Sequence, residues 1–236
     1  MFGLEPQSIF DRIQTSGQPP RVPTLRESML RGMIGFTLVS LGGFSPWVLA
    51  GRWFYRNVGE AGLYAVCAFV FIGLSGLLLN RLIIGPGSRV RFYKIFGLAF
   101  VAYALAWTIG WITLRGVTGS LAGLLAGTAA MGALLAHGFA ARGAALKIIT
   151  ALFVANAAGY FVGESAHNAV LALKEGNALG LALERATRAT LSKAAWGLFY
   201  GLGFGAGIGF AFHACQLEAR RLLIEAGERG QERPSS

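Results

Sequence analysis

Asn156, Tyr160, Glu164, His167 and Asn168, followed by Leu171, recur at intervals of three or four residues with one adjacent pair. In a helix that spacing gathers them on one face. Glu164 and His167, three residues apart, can form a charge-assisted hydrogen bond or pass a proton. A stripe this polar is too costly to expose to hydrocarbon. It must then line an internal cavity or pathway, or bind neighbouring helices. The alternative is that the helix leaves the membrane near Gly163, leaving Glu164 and His167 among the outer headgroups. On either alternative Asn156 stays inside an apolar stretch and is expected to bond a neighbouring helix.

His137 and His213 form a second constellation, each near the same end of a long apolar stretch. Two imidazoles on facing helices are the minimum for axial haem ligation, so this pair are the candidate haem ligands. No metal-ligand spacing and no C-x-x-C-H attachment site accompanies them, and no metal or cofactor is assigned. Gly73, Leu74, Ser75 and Gly76 spell G-x-S-G. The tetrapeptide is similar to the nucleophile motif of rhomboid proteases, six-span enzymes that pair this Ser with a His on the last span, where His213 lies here. The family carries its Ser in the fourth span, however, whereas Ser75 lies in the second, and the residues after Gly76 depart from the family pattern. Ser75 is therefore expected to be a helix-packing residue, and no catalytic set is assigned.

The elements that must hold these residues follow from composition. Of 236 residues 54% are apolar or aromatic and 34 are Gly, while only 14% are charged; a soluble domain carries about a quarter. Such a chain cannot cover a soluble surface. Yet 21 Lys and Arg stand against 11 Asp and Glu, a net charge of +10. The basic residues stand between apolar stretches rather than in a stripe with exposed aromatics, which excludes a nucleic-acid surface. Uncharged stretches predict about six transmembrane helices near residues 32–51, 61–80, 95–114, 117–140, 148–167 and 194–215, each close to the 20 residues a crossing needs. The fifth is short unless it carries Glu164. The fold class is thus an all-α integral membrane protein, a polytopic bundle with Gly-rich close-packed faces.

Residues 1–31 are expected to form a terminal segment approached through Pro19, Pro20 and Pro23, with no apolar core for a signal peptide. Residues 218–236 are expected to form a charged tail. Gln216 to Ala226 would continue the last span as an exposed helix. Residues 169–192 are expected outside the membrane as a surface helix carrying Leu179, Leu183 and Ala186, broken around Gly176 and Asn177. Counting Lys and Arg on alternate sides places 14 of the 21 with the two termini and seven opposite. Cytoplasmic loops hold the excess, so the expectation is a cell inner membrane with both termini cytoplasmic. Cys67 and Cys215 fall at different depths and are expected not to pair.

Glycine supplies the packing signal. Gly197, Gly201, Gly205 and Gly209 form a row every four residues, with Gly203 and Gly207 beside it; Gly119, Gly123 and Gly127 form a similar row. Rows of this kind let helix backbones approach closely. The simplest arrangement joins the two rows to each other or to a second copy. The partners expected are lipid and other membrane helices, in a homo-oligomer or a membrane complex. Functionally, these features suggest a small-solute transport or channel component, or a helix-packing subunit. A membrane-embedded enzyme or a haem- or quinone-associated redox subunit is the alternative.

Overall fold

The computed structural model describes residues 2–17, 22–173 and 184–231. The described chain is helical: α1 (Pro6–Thr15), α2 (Leu25–Gly43), α3 (Ser45–Asn57), α4 (Gly59–Leu78), α5 (Ser88–Leu114), α6 (Gly116–Gly138), α7 (Ala145–Ala172), α8 (Arg185–Cys215) and α9 (Leu217–Gln231). Six stretches are long and apolar enough to cross a membrane, the first being α2 with α3. The protein is an all-α polytopic membrane bundle.

The helices outrun the uncharged stretches because chain caps, not charges, end a helix. Thr24 starts α2 seven residues before residue 32: its hydroxyl accepts from the Glu27 N–H at 3.1 Å, while the Glu27 carboxylate accepts from the Thr24 N–H at 2.9 Å. This reciprocal pair satisfies two of the free donors of the first turn. Within the first span the helix breaks at Phe44, between α2 and α3. Pro46 has no N–H to give the Gly42 carbonyl four residues back, and the Ser45 hydroxyl donates to that carbonyl instead, at 2.7 Å. α7 runs on past Gly163 to Ala172, and α8 already begins at Arg185. The ends of the expected 169–192 surface segment therefore belong to these two long helices. Ser192 is fully buried on α8 and Ala186 lies in its first turn, while Gly176, Asn177, Leu179 and Leu183 lie outside the described residues.

α8 is the central helix, with 61% of its apolar window buried against 28% for that of α4. It lies along α2 on one side and α7 on the other, while α5 pairs with α6. The glycine rows explain these pairings and correct the expected one. A Cβ on Gly205 would stand 2.4 Å from the Gly32 carbonyl oxygen, on Gly209 2.3 Å from that of Ser28, and on Gly201 2.6 Å from the Thr37 Cα. Gly203 faces Gly159 of α7, at 2.6 Å from its Cα. The other row meets α5: Cβ atoms on Gly119, Gly123 and Gly127 would lie 3.1, 2.8 and 2.9 Å from the carbonyl oxygens of Gly110, Trp107 and Tyr103. The two rows thus meet α2, α7 and α5 of the same chain rather than each other. One-residue linkage through Arg115 forces α5 and α6 into a hairpin, and adjacency in sequence becomes adjacency in space. Gly197 is the exception in its row, with its nearest neighbour at an ordinary 3.6 Å.

At the end carrying the termini, α1 packs against α9. The tail helix is not an exposed continuation of α8. It restarts at Leu217 after a break at Gln216, and Ala219, Arg220 and Leu223 are buried. Gln216 makes the joint: its Oε1 accepts from the Ile84 N–H at 2.9 Å, and its Nε2 donates to the carbonyls of Leu82 and Phe212 at 2.9 and 2.7 Å. Both cysteines are free and buried.

Adding one methyl tests the close approach. Gly205→Ala and Gly209→Ala must push α2 off α8 and should destabilise by about 1–3 kcal/mol. Gly197→Ala has room and should leave the thermal midpoint of the purified protein close to wild type. Equal effects at all three positions would contradict the assigned contacts.

Candidate functional site

Four of the five stripe residues meet in one place. Glu164, His167 and Asn168 line a cavity of about 410 Å³ at the end opposite the termini, together with Tyr160 and residues of α3, α4, α5 and α8. Its inner wall is shared with a smaller, almost wholly apolar chamber of about 100 Å³. Phe44, Tyr64, Cys67, Trp107, Tyr160 and Trp196 border both spaces. The outer space is a polar vestibule and the inner one an aromatic chamber. Together they reach the size of common small-molecule sites, roughly 300–1,000 Å³.

The vestibule owes its shape to two helix connections. Val58 joins α3 to α4 and Arg115 joins α5 to α6, bringing Glu60 to within 3.8 Å of the Arg115 guanidinium. The Tyr64 hydroxyl donates to the Glu60 carboxylate at 2.7 Å, and the guanidinium lies 5.9 Å from the Trp111 ring centre. Arg115 has φ 51° and ψ 170°, a region that is essentially Gly-only and costs about 1–3 kcal/mol. Gly116, with φ 56°, carries the same turn freely. The strained Arg is held at the mouth by its carboxylate and its ring.

α7 supplies the opposite wall, with His167 stacked on Trp47 at 6.4 Å. It does not bond Glu164, which makes no ion pair among the described residues. The expected charge-assisted pair is replaced by a ring contact because α3 brings Trp47 over the imidazole. The His167 Nδ1 and the Trp107 indole N–H are buried without partners. Tyr160 bonds the Ser120 hydroxyl at 3.1 Å.

Asn156 does not line either space. It is fully buried beneath the chamber, where its amide donates to the Tyr103 hydroxyl at 2.9 Å, and that hydroxyl meets the Tyr200 hydroxyl at 3.2 Å. Asn156 thus bonds a neighbouring helix, and the rings it steadies form the chamber floor. Below them Phe36, fully buried, contacts Phe71, Phe100 and Phe204 at 5.8, 6.5 and 5.1 Å. Leu171 is 45% exposed and off the wall.

Sequence reasoning missed Glu60, Arg115 and the aromatic walls. Trp107 with Trp111, and Trp196 with Tyr200 and Phe204, recur every four residues; each tryptophan stacks on the ring one turn on, at 6.1 and 5.0 Å. That spacing was a usable signal, although aromatics near span ends also mark the membrane interface.

His137 and His213 are held by separate partners. His137 lies 3.3 Å from the Arg142 guanidinium, and His213 lies 3.5 Å from the Ser28 hydroxyl. Among the described residues no group of three or more His, Cys, Asp or Glu side chains is placed to hold a metal ion. Ser75 is fully buried and donates to the Phe71 carbonyl at 2.6 Å, a back-bond within its own helix. Among the described residues its hydroxyl bonds no acid or base that would activate it.

A membrane bundle with a two-part aromatic cavity at one end is the class that fold and site define. No protein-family model matches the chain, and no curated protein or solved structure matches it either.

Cys67 reports on the cavity. It borders both spaces, whereas Cys215 borders neither. A small uncharged methanethiosulfonate should add once to the purified protein, and Cys67→Ser should abolish the addition, as read by intact mass. Addition at Cys215 instead would mean that the cavity is closed.

Proposed function

We propose that the protein is a small-solute transport component whose vestibule and chamber form the solute site. The observation that carries this reading is the α7 stripe: Tyr160, Glu164, His167 and Asn168 form one wall of a cavity of about 410 Å³. A polar helix face turned inward in a membrane bundle is kept for a task.

The shape favours a carrier over an open pore. The chamber ends on the Phe36, Phe71, Phe100 and Phe204 cluster, so passage requires a rearrangement, as in alternating access. The break at Phe44 supplies a hinge. Phe44 borders both spaces, and α3 beyond it carries Trp47 and Tyr55 on the vestibule wall. Swinging α3 about this break would release His167 from Trp47 and widen the vestibule.

The other reading, a subunit that packs into a membrane complex through its glycine faces, loses its main support. Those faces are occupied by α2, α7 and α5 of the same chain. The 14-to-seven split of Lys and Arg supports cytoplasmic termini in a cell inner membrane, with the cavity open to the outside.

Two experiments test this. Solutes that raise the thermal midpoint of the purified protein identify the cargo. Glu164→Gln should then abolish its uptake into proteoliposomes while insertion stays normal; unaltered uptake would refute the site. For orientation, a thiol reagent that cannot cross the membrane should label Val58→Cys in intact cells, since Val58 is 51% exposed at the cavity end. Labelling only after permeabilisation would invert the topology.

A further inference from the structure

We propose that the groove between α2 and the end of α4, on the side of the termini, is a binding site for an anionic phospholipid. The groove encloses about 450 Å³ and has Arg31 and Arg81 at its mouth. Arg31 stands in the second turn of α2 and Arg81 just beyond the end of α4, and the α2–α4 contact brings these distant parts of the chain to one groove. Among the described residues neither arginine makes an ion pair. The carboxylate on the same wall, Glu27, is engaged with the Thr24 N–H.

Below the arginines the groove turns apolar. Leu30, Ile34 and Leu38 follow at one-turn intervals and are 44%, 63% and 52% exposed. From Arg31 to Leu38 the wall descends about 10 Å into the bilayer. That sequence of cation and then apolar track matches a phosphate headgroup with the upper part of an acyl chain. Clustered basic side chains between helices on the cytoplasmic side are the usual setting for anionic headgroups.

Arg220 of α9 supplies an independent observation. It is 4% exposed, its Nη1 donates to the Pro23 carbonyl, and its Nε and Nη2 have no partner. Burial and the neighbouring Arg31 draw its pKa down to about 10. Arg220 does not itself line the groove, but its charge is felt at Arg31 and adds to the positive potential that favours an anionic headgroup there. A choline headgroup would add a further cation beside Arg31, so the site favours phosphatidylglycerol over phosphatidylcholine. Free phosphate would leave the leucine track uncovered.

Native mass spectrometry of the detergent-solubilised full chain tests the site, with dioleoyl-phosphatidylglycerol, dioleoyl-phosphatidylcholine and inorganic phosphate as probes. Wild type should retain phosphatidylglycerol about tenfold over phosphatidylcholine, with no displacement by millimolar phosphate. The pair Arg31→Gln with Arg81→Gln should lose the preference, and Arg31→Lys with Arg81→Lys should keep it. The exposed pair Arg26→Gln with Arg89→Gln removes the same charge outside the groove and should change nothing. Should the glutamine pair fail to fold, Leu38→Trp fills the apolar track, leaves both arginines in place and should lose phosphatidylglycerol alone. Equal retention of the two lipids by wild type, equal loss in the exposed pair, displacement by phosphate, or full retention in Leu38→Trp would each overturn the proposal.

Discussion

Everything in this bundle leans on the contact of backbone with backbone along α8. Apolar side chains draw no helices together in lipid, because the tails are as apolar as leucine. What remains is dispersion at close range, and Gly201, Gly205 and Gly209 bring α8 so near α2 that a methyl group would strike the Gly32 and Ser28 carbonyls. Gly203 does the same against α7. Two helices are thereby clamped to a third along the stretch from Gly201 to Gly209. With no side chains to interleave there, the packed strip is thin, and the bulky residues are displaced toward other faces of the bundle.

Those displaced residues build the cavity. Near the chain reversal before α5, α4 and α5 are held together by the Tyr93 hydroxyl on the Gly73 carbonyl and by Gly97 against Ile72. Towards the other end Tyr64, Trp107 and Trp111 line the cavity, which is walled by rings rather than filled by them. The strained Arg115 and its carboxylate partner sit across the mouth. Backbone strain persists where surrounding contacts over-determine it, and here those contacts belong to the cavity rim. The break at Phe44 lies between the two regions: α2, packed on α8, stops where α3 begins to form the vestibule wall.

Much of this was legible in the sequence. Six apolar stretches with flanking cations predict a polytopic helical bundle, and the glycine spacing predicts helix faces without side chains. The stripe on α7 was legible as a stripe, but its meaning was not. That Glu164 borders a cavity depends on α3 and α5, which bring Trp47 and Trp107 to the same space from more than 50 residues away in the chain. The Pro46 break and the Thr24 cap carry local chemical signals, although the charge-free stretch runs across one and begins after the other. The buried face of α9 had a weaker signal, since the apolar run Leu222, Leu223 and Ile224 does not by itself single out the face that Ala219 and Leu223 bury.

The sequence by itself determined the periodicities: which stretches are apolar, which helix faces lack side chains, which positions on α7 are polar. These are properties of one helix at a time and follow from 3.6 residues per turn. The tertiary structure alone decided which face meets which. A glycine row states that some backbone will approach, and its partner is selected by chain connectivity and by the shape of every other helix. The same holds for the Glu60 and Arg115 pair, 3.8 Å apart, and for the two arginines that share the α2–α4 groove, whose chemistry exists only once distant turns are brought together.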